Sequence, residues 1–195
     1  MTDTVLDKAA LRRDLKAQRR RHVAALPDAT RALLFRVPPA TVARLITPGA
    51  TVGLYRAGPD EAPAGAYARH FQENGHAIAL PRFAARDAPM AFALHTDPNG
   101  ESDLETGPFN LLQPRVDAPE VTPDVLIVPL VAFTADGARL GQGGGHYDRW
   151  LESHPGTIAI GLAWDIQLAD ELPSEAHDHP LTAVVTPTRV YGPFA

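Results

Sequence analysis

Residues 125–131 have the sequence VLIVPLV, an unbroken apolar run rich in β-branched side chains. A strand with one solvated face alternates polar and apolar residues, whereas a strand of a parallel sheet covered on both faces is apolar throughout. The run therefore predicts a buried central strand. A parallel sheet needs helices on its faces, so this segment indicates an α/β protein.

Strand-like and helix-like segments alternate on both sides of this run. Further strands are predicted at residues 51–55, 76–80, 90–95, 157–163 and 183–186, and helices at residues 4–25, 64–74 and 145–153. A helical segment from residue 27 to about 45 must break or kink at Pro38 and Pro39. Residues 97–108 are predicted to be a polar loop. We expect one three-layer α/β domain over residues 1–195, with a mainly parallel central sheet covered by helices on both faces and the basic helix 4–25 packed on it.

The composition excludes several classes of protein. The 195 residues contain no cysteine, which excludes thiol catalysis, thiolate zinc sites and disulfide scaffolds. No apolar run approaches the roughly 20 residues of a membrane span, and residues 1–7, MTDTVLD, lack the features of a signal peptide. We expect a soluble, cytoplasmic protein.

Charge is distributed unevenly along the chain. The net charge is −5, yet residues 8–22 carry seven Lys or Arg against one Asp, so this segment is +6 and the remainder −11. A basic segment on an acidic body favours a local anion site over a nucleic-acid surface, which would need a broad basic face. Lys8, Arg12 and Arg19 share one helix face, beside an apolar stripe that includes Leu11 and Leu15.

A glycine loop follows the buried strand, with four glycines among residues 141–145, GQGGG. Glycines let consecutive backbone N–H groups turn toward one anion, and the positive end of the following helix adds to that attraction. Because Arg139 and Arg149 flank the loop, the pattern favours phosphate binding over a turn that only permits tight packing. Asp148, just inside the helix, either carries Mg²⁺ or stabilises the helix N-terminus through its dipole. The glycine loop is not a P-loop, because no Gly-Lys-Ser/Thr sequence follows it.

Over nearly its whole length, the chain resembles the 5-formyltetrahydrofolate cyclo-ligase family, also called 5,10-methenyltetrahydrofolate synthetases. The hallmark motifs are Val128-Pro129, Ala132-Phe133, Gly137-Ala138-Arg139-Leu140-Gly141 and Tyr147-Asp148-Arg149. Supporting matches are Lys8-Ala9-Ala10-Leu11-Arg12, residues 55–61, Leu80-Pro81-Arg82, Met90 with Phe92, Gly161-Leu162-Ala163, Gln167, Leu172-Pro173 and His177-Asp178. The resemblance implies a single α/β domain that uses ATP and Mg²⁺ to close 5-formyltetrahydrofolate to 5,10-methenyltetrahydrofolate, releasing ADP and phosphate.

The resemblance also implies which residues form the site. Those expected at the ATP phosphates are Lys8, Arg12, Arg139, Leu140, Gly141, Gln142, Gly143, Gly144, Gly145, His146 and Tyr147, and among them Lys8, Arg12 and Arg139 are expected to act in catalysis. Glu61 is expected to contact the folate, and Arg56 to face the substrate or pair with its glutamate tail. Asp178 is expected near the metal, with Asp148. The remaining helix cations, Lys16, Arg13, Arg20 and Arg21, are expected on a solvated face. We expect a monomer that acts on small molecules, without a nucleic-acid or membrane partner.

Some positions depart from the family pattern. Gln142 stands where an aromatic or basic residue is common, His146 replaces the first of two tyrosines, and Gln113 replaces the Glu of a Glu-Pro pair; Leu130 and Thr134 replace Gly and Asp. His146 can alter substrate stacking or proton handling. Two alternatives therefore stay open: a paralogue that uses ATP on another N-formyl or amide substrate, and a non-catalytic nucleotide- or folate-binding module.

Overall fold

A computed structural model of the protein describes residues 8–173, 175 and 178–194. Its helices are α1 (Lys8–Ala25), α2 (Asp28–Leu33), α3 (Ala40–Ala43), α4 (Gly65–Glu73) and α5 (His146–Ser153), with a 3-10 turn at Asp165–Gln167. As predicted, Pro38 and Pro39 interrupt the second helical segment, between α2 and α3. Residues 4–7 of the predicted first helix, and His177, lie outside the described residues. No helix in the described ranges is long and apolar enough to cross a membrane.

The strands form one large sheet and two small ones. They are β1 (Thr51–Gly53), β2 (Ala77–Arg82), β3 (Ala91–Leu94), β4 (Leu104–Thr106), β5 (Leu112–Pro114), β6 (Val125–Pro129), β7 (Ala132–Phe133), β8 (Arg139–Leu140), β9 (Ile158–Leu162), β10 (Ala183–Val185) and β11 (Val190–Tyr191). The seven-stranded sheet has the order β11-β10-β9-β6-β1-β2-β3. Neighbours from β10 to β2 are parallel, and the edge strands β3 and β11 are antiparallel. The mainly parallel central sheet is therefore confirmed.

Strand β6 is buried on both faces, as its apolar run predicts. Val125 and Ile127 belong to one apolar cluster, with residues of α3 and α4, and Leu126 and Val128 to a second, with residues of α5. Alternate side chains of a strand point to opposite faces, so the two clusters are the two sides of the sheet. This confirms the three-layer arrangement of helices on both faces.

The parallel strands bring distant segments to one edge of the sheet. β1, β2 and β6 run in the same direction, so the segments after Gly53, Arg82 and Pro129 all begin at their carboxyl ends. Ligands of open α/β sheets bind at this edge, because loops there can converge without covering the core.

Helix α1 packs across the segment that leads into the glycine loop. Its predicted apolar stripe, including Leu11 and Leu15, contacts a buried cluster that contains Val131 and Leu140. Arg19 is buried and donates a hydrogen bond from Nη1 to the Leu130 carbonyl oxygen, at 3.2 Å. This packing aims the basic face of α1 at the glycine loop, more than a hundred residues away in sequence.

The prediction of a polar loop at residues 97–108 is wrong in its second half. Residues 104–106 form β4, which pairs with β5 in an antiparallel hairpin. The loop prediction failed here because a three-residue strand is too short to show the alternation of a strand in its sequence. Pairing with β5 decides the conformation of these residues instead.

Candidate nucleotide and folate site

A cavity of about 640 Å³ opens at the carboxyl ends of the strands. It is lined by every residue that the sequence predicts for the site: Lys8, Arg12, Arg56, Glu61, Arg139, Leu140, Gly141, Gln142, Gly143, Gly144, Gly145, His146, Tyr147, Asp148 and Asp178. Three widely separated parts of the chain, α1, the segment after β1 and the glycine loop, thus share one space. Its volume suits a small-molecule site.

The glycine loop enters α5 through a left-handed turn. Gly145 is the N-cap of α5 with φ of 62°, and Gly143 has φ of 107°. Non-glycine residues rarely adopt these angles, so the glycines are needed for the backbone path. The loop presents the first N–H groups of α5, which have no partners within the helix, at the edge of the cavity.

The α1 cations hold the glycine loop from one side. Arg12 donates a hydrogen bond from Nε to the Gly141 carbonyl oxygen, at 2.9 Å. Arg13, Arg20 and Arg21 are exposed, as expected for a solvated face.

Lys16 departs from the expectation of a solvated face. It is half-buried, and its Nζ lies 3.4 Å from the Gln142 carbonyl oxygen. Burial, with the neighbouring Arg19 and Arg12, lowers its pKa below the ordinary value. Lys16 lies one helical turn after Arg12, so it is on the face of α1 that contacts the glycine loop.

Lys8 and Arg139, which also line the cavity, each lie beside an acid. Lys8 Nζ lies 3.1 Å from both the Glu175 and the Asp178 carboxylates. Burial alone would lower the pKa of Lys8, but hydrogen bonds to those carboxylates raise it above its ordinary value. Arg139 is buried and paired with Asp148, and its Nε has no hydrogen-bond partner among the described atoms.

Asp148 and Asp178, the two acids predicted near a metal, therefore lie with Glu175 on the cation-rich side of the cavity. The described residues contain no group of three or more His, Asp or Glu side chains arranged to hold a metal ion. Two carboxylates suit Mg²⁺, which usually takes one or two from a protein and completes its coordination with water and substrate phosphates.

Glu61, in the segment after β1, also lines the cavity, and both of its carboxylate oxygens accept hydrogen bonds. Oε2 accepts a hydrogen bond from the Gly58 backbone N–H at 2.8 Å, and Oε1 accepts one from Gln142 Nε2 at 2.6 Å. Arg56 also lines the cavity, where it forms an ion pair with Glu101.

An aromatic wall that the sequence analysis missed faces the same cavity. The Phe83 ring packs edge-on against His146 and Phe109, with centroid separations of 4.9 and 5.0 Å. Burial, and secondarily Arg149, lowers the pKa of His146, which favours the neutral ring. Phe109 follows the segment predicted to be a polar loop, and no periodic signal marks Phe83; only the position of the β4–β5 hairpin brings them together.

The side chain of Gln113 holds the backbone of Phe83, and so positions one ring of this wall. Its side chain accepts a hydrogen bond from the Phe83 N–H and donates one to the Phe83 carbonyl oxygen, both at 3.1 Å. A carboxylate could accept the first but not donate the second, so the amide suits this position.

Tyr147 completes the site on the α5 side. Burial, with the nearby Glu61 carboxylate, raises its pKa above the ordinary value, so its hydroxyl stays protonated at neutral pH. It is thus available as a donor beside the glycine loop.

The chain is similar to several known proteins. Curated relatives named 5-formyltetrahydrofolate cyclo-ligase include one from Escherichia coli K12, 46% identical over 97 residues, which are 47% of this chain and 53% of the relative. Another, from Saccharomyces cerevisiae, is 28% identical over 147 residues, 64% of this chain and 69% of the relative. The chain thus spans about half the length of the E. coli protein that it matches.

Solved structures of 5,10-methenyltetrahydrofolate synthetases share the fold. The Aquifex aeolicus protein superimposes with a TM-score of 0.74 at 24% identity, covering 95% of this chain and 92% of that one. The Mycoplasma pneumoniae protein gives a TM-score of 0.66 at 24% identity, covering 92% and 98%. The sequence model of the 5-formyltetrahydrofolate cyclo-ligase family matches residues 5–187. Since that match takes in the glycine loop, α1 and most of the sheet, the chain belongs to the 5-formyltetrahydrofolate cyclo-ligase family.

Proposed function

We propose that this protein converts 5-formyltetrahydrofolate to 5,10-methenyltetrahydrofolate, using ATP and Mg²⁺ and releasing ADP and phosphate. The observation that carries the proposal is one cavity lined by a phosphate-type glycine loop and also by Glu61 and an aromatic wall. Two ligands of different chemistry, a polyphosphate and a flat heterocycle, fit such a two-sided site.

The phosphates of ATP are assigned to the loop side. There the N–H groups of the glycine loop and α5, with Lys8, Arg12 and Arg139, offer donors and positive charge from several directions. Arg139 lines the cavity together with the glycine loop, and this position supports the assignment. Asp148 and Asp178 would hold Mg²⁺, which would offset negative charge on the phosphates.

The folate is assigned to the part of the cavity that is lined by Glu61 and the aromatic wall. The carboxylate of Glu61 can accept hydrogen bonds from the donor-rich edge of a pterin. Phe83, Phe109 and His146 supply faces and edges for the rings of the substrate. Arg56 would pair with the glutamate tail, replacing its bond to Glu101.

In the proposed reaction, the formyl oxygen attacks the terminal phosphorus of ATP, and the bond to ADP breaks. The bridge nitrogen then attacks the activated carbon to close the ring, and the carbon–oxygen bond breaks as phosphate leaves with the proton that the nitrogen loses. The chain needs no covalent nucleophile for this chemistry. Its residues hold the formyl oxygen near the phosphorus and stabilise developing charge with Lys8, Arg12, Arg139 and the loop amides.

The direct test is turnover by the purified protein. With 5-formyltetrahydrofolate and Mg-ATP, methenyl absorbance should rise together with an equal amount of ADP, and chelation of Mg²⁺ should stop both. Binding of either ligand without turnover would instead support the non-catalytic module. No turnover of the folate, with ATP consumed on another compound from a panel of N-formyl and amide substrates, would support the paralogue, an alternative that the His146 substitution keeps open.

Two substitutions test the assignment of the phosphate side. Lys8→Ala and Arg139→Ala each remove a charge-assisted contact worth about 1.5 to 3 kcal/mol, so kcat/KM for ATP should fall about ten- to a hundredfold. Gln18→Ala, on an exposed position of α1, is a control that should leave turnover unchanged. Wild-type rates in both charge variants would contradict the assignment.

The proposal includes a setting for the reaction. We propose that the protein works in the cytoplasm as a monomer, with no nucleic-acid or membrane partner. Sedimentation of the purified protein checks the oligomeric state.

A further inference from the structure

One hydrogen bond joins the two halves of the cavity. Gln142 belongs to the glycine loop, Glu61 belongs to the segment after β1, and the two side chains meet at 2.6 Å between Nε2 and Oε1. They are 81 residues apart in sequence, and the bond lies on the cavity wall rather than in the core.

Both ends of this bond are held by other contacts. The Gly58 N–H fixes the second oxygen of Glu61 at 2.8 Å. On the loop side, Lys16 Nζ lies 3.4 Å from the Gln142 carbonyl oxygen, and Arg12 holds the preceding carbonyl, that of Gly141. The link therefore connects two anchored segments.

We infer that Gln142 is a positioning residue for Glu61 and couples nucleotide binding to folate binding, so that each ligand tightens the other. The inference rests on the proposed function, which assigns ATP to the loop and folate to Glu61. It adds a thermodynamic link between the two ligands, carried by one side chain.

The sign of the coupling follows from the hydrogen-bonding capacity of a carboxylate. Two carboxylate oxygens offer about four acceptor sites, and Gln142 with Gly58 uses two of them, so Glu61 can still accept hydrogen bonds from a ligand. The link therefore orients the carboxylate without blocking it. Phosphates bound to the loop amides would reduce the conformational freedom of the loop, including Gln142. Gln142 would then hold the Glu61 carboxylate in the orientation that binds the pterin, so folate binding would cost less conformational entropy. Linkage requires that folate tighten the nucleotide by the same factor.

The test is a pair of calorimetric titrations on the full-length protein. The Kd of a non-hydrolysable ATP analogue with Mg²⁺ is measured with and without saturating 5-formyltetrahydrofolate, and the converse titration checks reciprocity. We expect about tenfold tightening in the wild type, within the ordinary range of coupling between sites. Gln142→Leu, which removes the amide from an exposed side chain, should reduce the factor to about one.

Two further variants make the result specific. Gln142→Lys keeps an N–H donor opposite Glu61, so it should retain several-fold coupling. Gln18→Leu makes the same change at an exposed glutamine of α1 and should keep the wild-type factor.

The outcomes separate this inference from the proposed function. If both ligands bind and turn over but Gln142→Leu keeps tenfold coupling, or the wild type has none, Gln142 is not the link and the proposed function stands. If the wild type binds neither ligand, the proposed function fails and the inference fails with it.

Discussion

Replacing Arg12 with alanine tests whether α1 is part of the nucleotide site or only packs beside it. The Arg12 guanidinium donates to the Gly141 carbonyl at 2.9 Å and lines the cavity. A hydrogen bond from a charged donor contributes about 1.5 to 3 kcal/mol, and about 1.4 kcal/mol corresponds to a factor of ten. We therefore expect kcat/KM for ATP to fall about ten- to a hundredfold, mainly because the loop loses its support and the phosphates lose a cation.

The assay is the initial rate of methenyl formation as ATP is varied at saturating folate. Arg13→Ala is the matched control, because the neighbouring side chain is 74% exposed and its pairing with Asp14 lies on the surface. Exposed ion pairs contribute little, so the control should stay within about twofold of the wild type. Thermal melting of both variants establishes that they fold.

Equal kinetics for Arg12→Ala and Arg13→Ala would refute the reasoning. The contact between Arg12 and the loop would then be a packing contact only, and the phosphate site would have to be assigned to the loop amides, Lys8 and Arg139 without Arg12.

Three further predictions concern the loop, the aromatic wall and the turn beside Arg56. Gly145 has φ of 62°, which a residue with a side chain adopts at a cost, so Gly145→Ala should lower stability by about 1 to 2 kcal/mol in urea unfolding and should also reduce ATP turnover. Gly156 has φ of 101° and open space around it, so the control Gly156→Ala should lower stability but keep turnover. Burial lowers the pKa of His146 below 6.5, so as the pH falls this side chain is protonated in the unfolded chain before it is protonated in the folded protein. Stability should therefore drop from about pH 7 toward pH 5, and more steeply in the wild type than in His146→Phe. Melting temperatures measured across this pH range check the difference. Hydrogen bonds from Ser102 and Gly100 lower the pKa of Asp97 to about 2, so carboxyl NMR should find Asp97 ionised at pH 3. Ser102→Ala should raise the pKa of Asp97. The stability that the ionised carboxylate contributes is present above about pH 4 and lost as the pH falls toward 2.

The amino-acid sequence by itself determined the parts of the protein that depend on local pattern. The apolar run at residues 125–131 identified a strand buried on both faces, and the Leu11 and Leu15 stripe identified the packed face of α1. The glycine loop and its flanking Arg139 could be recognised because backbone conformation and charge at a helix start are local properties. Motifs spread along the chain then indicated the family.

Tertiary structure alone decided which side chains meet. The Gln142–Glu61 bond, the Arg56–Glu101 pair and the Lys16 contact with the loop join segments that are 45 to 126 residues apart. The aromatic wall exists because a hairpin too short to show periodicity folds over the end of β2. Such contacts depend on how the strands order themselves in the sheet and how α1 packs against the glycine loop, and neither propensity nor periodicity within a single segment contains that information.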